Sequence, residues 1–176
     1  MLRIFVCALL LPGLAACAWA RAPDPRMFQD GVAAYDAKDY AQAYAIFSQQ
    51  ADQGDLAAMR NQALMLRRGQ GVASDPKRAE AIYTEAARAG LSTAQADLGI
   101  MLLDGEAGPS DPKAALPWLE AASAAGHALA QYRLGQMYEQ GLGVPRDLAR
   151  ARALYQASAA AGDKDAAARL QALPSQ

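Results

Sequence analysis

The sequence predicts an all-α solenoid of stacked antiparallel helix pairs. A spacing of 36 residues recurs through most of the chain, glycine and aspartate fall at matching points of each period, and the apolar residues follow helical spacing. The tetrapeptide SDPK stands at Ser74–Lys77 and again at Ser110–Lys113. In the same period Gly54, Gly90, Gly126 and Gly162 align, as do Asp39, Asp75, Asp111 and Asp147. A bulky apolar register runs Phe47, Tyr83, Leu119, Tyr155, and alanine registers run through Ala43, Ala79, Ala115 and Ala151 and through Ala58, Ala94, Ala130 and Ala166. Alanine matches can come from composition alone, but glycine, aspartate and aromatic registers holding together mark a true repeat.

The 176 residues suffice for one domain. With 17 Lys and Arg against 18 Asp and Glu, the chain lacks the basic excess of a nucleic-acid binder. Residues 1–20 read as an export signal: Arg3 gives a minimal positive start, Ile4–Leu11 a short apolar run, and Pro12-Gly13 a break. The run is too short to span a bilayer as a helix. Two processing routes stay open. Leu14-Ala15-Ala16-Cys17 resembles the bacterial lipobox, in which the cysteine becomes lipidated, and Ala18-Trp19-Ala20 fits ordinary signal cleavage. Either route places the protein in the periplasm or anchored by lipid to the bacterial envelope. The only other cysteine is Cys7, so from Ala18 onward no disulfide or cysteine metal site is available.

The units are expected at 24–54, 55–90, 91–126 and 127–162, with a capping helix and tail over 163–176. In each unit a first helix ends at glycine (Gly69, Gly105, Gly141), where the chain must turn left-handed. A second helix opens on an aspartate cap, with proline following at its first position in two units. Ala63, Gly99 and Gly135 share one position inside the first helix. Glycine there costs about 1 kcal/mol relative to alanine, so close approach of the partner helix is expected. Pro117, inside a second helix where Ala81 and Ala153 are its counterparts, is expected to kink the helix without breaking it.

Ala128–Gly162, with Leu134-Gly135-x-Met137-Tyr138, Gly141-x-Gly143-Val144 and Asp147, resembles a Sel1-like repeat. Leu56–Gly90 is similar, with Ala63 for the glycine and Leu66 for the tyrosine. Leu91–Gly126 keeps Leu98-Gly99 and Met101 but departs in its loop, GEAGPSD. The opening unit has a shorter turn and resembles a tetratricopeptide unit through Gly31, Tyr35, Asp39, Tyr40 and Ala43. The resemblance implies a right-handed superhelix and a role in binding proteins, as an adaptor in signalling or envelope regulation or through host factors. Cysteine-rich members with penicillin-binding or β-lactamase-like activity carry disulfides in each repeat, which this chain lacks from Ala18 onward, so that activity is not carried over; the two S-x-x-K matches, Ser74–Lys77 and Ser110–Lys113, are the turn-and-cap tetrapeptides of the repeat.

No constellation for catalysis stands out. His127 is the single histidine, with no second ligand beside it to form a zinc site; no serine lies in a nucleophile elbow, and the glycines of GQGV and GLGV lie at helix exits, where a phosphate cradle would need a strand before them. The expectation is a non-enzymatic protein without cofactor or metal. By the resemblance, the first helices line a concave groove, and the positions projecting into it are Arg60, Leu64 and Arg67, then Ala96, Ile100 and Leu103, then Tyr132, Gln136 and Glu139. They predict a charge-polarised apolar groove for an extended or helical segment of a protein partner, with Arg60, Arg67 and Arg68 available to a carboxylate. Three alternatives compete with this. The same residues could pack between units instead, or the protein could tether envelope complexes without a groove, or it could bind cell-wall fragments.

Overall fold

In a computed structural model, which describes residues 23–174, the chain folds into helices without strands among those residues. The order is α1 (Pro25–Asp36), α2 (Tyr40–Ala51), α3 (Leu56–Arg68), α4 (Pro76–Arg88), α5 (Ser92–Asp104), α6 (Pro112–Ala124), α7 (Ala128–Gln140), α8 (Leu148–Ala160) and α9 (Lys164–Ala172). Each helix packs on the next in sequence, and α5 also reaches α7. The molecule is therefore a stack of helix pairs in which each unit covers its neighbour, as expected of a solenoid.

The repeat registers turn out to be the core. Phe47, Tyr83, Leu119 and Tyr155 are buried, and both four-alanine registers are wholly so. Aspartates cap the helices as their spacing predicts: Asp75, Asp111 and Asp147 each accept a hydrogen bond from the backbone N–H three residues on, at 3.0 Å. His127 occupies the same position before α7 that Asp55 and Asp163 occupy before α3 and α9, and its Nδ1 accepts from the Ala130 N–H at 3.4 Å. The histidine is a helix cap.

The helical glycines are close-approach sites. A β-carbon on Gly135 would lie 2.7 Å from Cε1 of Tyr155, and one on Gly99 2.7 Å from Cγ of Leu119. Gly31 does the same for the opening unit, where a β-carbon would lie 2.8 Å from Cε1 of Phe47. Helix α6 runs through Pro117 without interruption. The proline ring stands on the exposed side while Leu119 and Ala122 keep the helix on the core.

Candidate functional site

The first helices of the units, α1, α3, α5, α7 and α9, share one face of the stack, and the residues picked out in the sequence divide there into three groups. The first group is buried. Ile100 is 8% and Leu103 9% exposed, both within the core that α5 builds with α6 and α7 beside Leu119, Leu134 and Tyr138. Ala96 is fully buried in the same core. These positions corrected the expected groove: in the middle of the stack, apolar residues at the projecting positions are packing residues between units.

The second group is charged and already paired. The guanidinium of Arg60 donates to Asp97 at 2.7 Å, and that of Arg67 to Glu106 at 2.6 Å. Glu139 receives both Nε and Nη2 of Arg169, at 2.9 and 2.7 Å. Between them Arg133 on α7 pairs with Asp104 on α5. Each pair ties one unit to the next. Burial pushes the Glu139 carboxyl up, but the hydrogen bonds from Arg169 and Tyr155 outweigh it and hold the group below the usual glutamate range. For Arg67, burial acts to lower the pKa, and Glu106 beside it wins, raising it further. Tyr132 and Gln136, the remaining members, bond each other: the Gln136 side-chain amide donates to the Tyr132 hydroxyl at 3.0 Å. Arg133 also donates to Gln136 at 3.3 Å.

The third group borders open space. Between α1 and α3 lies a hollow of about 180 Å³, the volume of one large apolar side chain. Phe47 and Met65 form its floor, and Val32, Tyr35 and Leu64 its walls. Arg60 and Asn61 stand at its edge. Leu64 and Arg60 are the sequence-predicted residues that this hollow brings together. Tyr35 is held in place through its hydroxyl, which donates to Gln70 at 3.0 Å and accepts from Arg68 at 3.4 Å. Val32, Tyr35 and Asn61 were missed in the sequence. The signal that could have found them is the apolar spacing of α1, whose Phe28, Val32 and Tyr35 have no preceding unit among the described residues to cover them. Cys17 lies outside the described residues. Among the described residues no cluster of three or more His, Cys, Asp or Glu is arranged to hold a metal, and no helix is long and apolar enough to cross a membrane.

A stack of paired helices whose loops and helix crossings repeat every 36 residues, with an apolar hollow on the first-helix face, defines the class: a short α-solenoid built to present a surface. Comparison with known proteins gives the family. A family model described as Sel1 repeat matches residues 14–55, 56–91, 92–127 and 128–163, and the chain belongs to that family. The opening unit, read from its shorter turn as tetratricopeptide-like, falls within the first of these matches. Among solved structures, a Sel1 repeat protein from Oxalobacter formigenes is 31% identical with a TM-score of 0.76, over 81% of this chain and 58% of that one. A protective antigen present in uropathogenic Escherichia coli strains, displaying an SLR fold, is 30% identical with a TM-score of 0.78, over 83% of this chain and 32% of that one. A Sel1 repeat protein from Klebsiella pneumoniae, at 21% identity and a TM-score of 0.57, shares the fold, over 82% of this chain and 74% of that one. The chain thus spans about 58% and 32% of the length of the first two. A comparison with curated proteins finds no significant match. Sel1 repeat proteins generally mediate protein–protein interaction.

Proposed function

We propose that this protein is a non-enzymatic interaction module, exported to the bacterial envelope, that takes a segment of a partner protein against its first-helix face. The hollow between α1 and α3 carries this reading. Several apolar side chains of different helices surround space there large enough for an incoming side chain, whereas two further hollows on that face, beside Tyr132 and beside Leu103, are lined by Asp165 and Arg169 and by Asp104 and Arg133. Along the middle of the face Ala96, Ile100 and Leu103 are buried, and the charges neutralise one another across units. Recognition therefore concentrates at the N-terminal end of the stack, where the groove expected from the sequence would have run its whole length. Leu64 and Arg60 remain in the site, and Tyr132, Gln136 and Glu139 flank it at a distance as structural supports of the later units. Export rests on the signal-like residues 1–20, and a lipid anchor on the Leu14–Cys17 resemblance to a lipobox. A relative that serves as a protective antigen is in keeping with export.

The test is in-cell crosslinking of the tagged protein followed by reconstitution with the purified partner. Wild type is expected to capture a specific envelope protein, and Leu64→Ser, checked for an unchanged melting profile, is expected to lose it. Capture that is indifferent to Leu64→Ser sinks the hollow as the site. The lipobox-like sequence favours a second reading, a lipoprotein that tethers envelope complexes without using the hollow. Under that reading Cys17→Ser releases the protein from the membrane fraction and abolishes its role while Leu64→Ser does nothing.

A further inference from the structure

The arginines of the first-helix face differ in one respect. On α3, α5, α7 and α9 there are five, Arg60, Arg67, Arg68, Arg133 and Arg169, and α1 adds Arg26 in its first turn, nine residues before Tyr35. Arg60, Arg67, Arg133 and Arg169 each hold a carboxylate of an adjoining unit. Arg68 has no carboxylate in salt-bridge range among the described residues. It is exposed, and its guanidinium contacts the hydroxyl of Tyr35, a wall of the hollow. The stack thus leaves an uncompensated positive charge at the mouth of an apolar pocket, held there by a side chain of the pocket itself.

We infer that the hollow between α1 and α3 recognises a segment of a partner protein that carries a large apolar side chain next to a carboxylate. The apolar side chain enters between Val32, Leu64 and Phe47, and the carboxylate meets Arg68. A guanidinium on the rim pairs bidentately with a carboxylate and rejects a cationic neighbour, so it supplies selectivity on top of the non-directional attraction of the pocket. The basic character of the mouth disfavours the chain's own N-terminal residues as occupant. Residues 1–22 contain Arg3 and Arg21 and no acidic residue, and would bring like charge to Arg68. This inference rests on the hollow being the binding site, and the experiment separates the two.

Random twelve-residue peptides displayed on phage are selected against the full-length chain, and the enriched sequences are synthesised for affinity measurement. The expected consensus has Leu, Ile, Met or Phe within two positions of Asp or Glu. Binding of the consensus peptide is expected to weaken about tenfold or more in Arg68→Glu, less in Arg68→Gln, and to fall with added salt. Selection against Arg68→Glu is expected to replace the acidic position with Lys or Arg. Peptides that need Leu64 but bind Arg68→Glu as tightly as wild type overturn the inference and leave the hollow standing as the site. Peptides that ignore Leu64→Ser, or no enrichment at all, overturn both. Sedimentation showing a dimer that Leu64→Ser dissociates gives the hollow to a second copy of the chain, and also overturns the inference. Arg68 is exposed and Leu64 half-buried, so thermal melts of each variant establish that a lost affinity is not a lost fold.

Discussion

Tyr83 and Tyr155 hold the same place in two copies of the repeat, 72 residues apart, and both are 0% exposed. Their hydroxyls end differently. That of Tyr155 donates to Glu139 at 2.7 Å, and Glu139 is held in turn by Arg169. That of Tyr83 is buried without a hydrogen-bond partner among the described residues. The position of Glu139 is filled in the earlier copy by Arg67, which offers donors and no acceptor. The backbone opposite the ring also differs, with Gly135 facing Tyr155 where Ala63 belongs to the earlier copy. Burial raises both phenols, assisted by Asp97 for Tyr83 and by the hydrogen bond to Glu139 for Tyr155, so both stay neutral. The repeat thus fixes where the ring sits, while the neighbouring unit decides whether its hydroxyl is satisfied.

The largest effect expected from breaking this parallel is at Gly135. Gly135→Val drives branched carbons into the Tyr155 ring and is expected to destabilise by about 3 kcal/mol, the upper part of the usual range for overpacking. Chemical denaturation against wild type measures it. Next comes the hydroxyl itself. Tyr155→Phe removes a hydrogen bond to a charged acceptor and is expected to cost about 2 kcal/mol. Tyr83→Phe removes a buried group that has no partner, and is expected to fall within about 0.5 kcal/mol of wild type or to stabilise. Equal losses for the two would show that Tyr83 is satisfied in solution.

Ala63→Gly makes the early copy resemble the later one and is expected to lose about 1 kcal/mol, because the helix pays the glycine penalty without a ring already seated against its backbone. The smallest effect is in pH. Glu139 has a lowered folded pKa, so its contribution is fully present above the unfolded glutamate value of about 4.3 and is lost as the pH falls through the folded value. In Glu139→Gln the acid limb of a plot of Tm against pH is expected to flatten. A limb identical to that of wild type would assign acid unfolding to other carboxylates.

Much of the fold was legible in the sequence because its causes are local. Asp75 and Pro76 state where a helix begins, Gly69 and Gly141 where one ends, and Leu119 or Tyr155 which side is inward. The site was less legible because its causes lie between units. Arg67 and Glu106 are 39 residues apart, Arg169 and Glu139 30 apart. Whether such residues meet depends on how far each pair of helices rotates on the last, which no periodicity within a helix encodes. Ile100 and Leu103 were read as facing a groove for the same reason: apolar residues on a first helix look alike whether a partner or the next unit covers them. Arg68 could be told from Arg67 only once the acids were placed.

The paired-glycine loop after the first helix has a consequence for how the stack comes apart. Gly71 and Gly143 have positive φ and run close against the start of an earlier second helix, so that a β-carbon on Gly71 would meet the Tyr40 carbonyl and one on Gly143 the Pro112 backbone. These loops latch each unit to the one before it, backbone on backbone. In the middle unit the corresponding residue is Ala107, half-buried against the core that α3, α4 and α5 share. The joint of the middle unit is thus made by a side chain, where the other two are made by bare backbone. Gly71→Ala and Gly143→Ala should therefore push neighbouring units apart and speed amide exchange in the helices on either side, whereas Ala107→Gly should cost only its methyl contact.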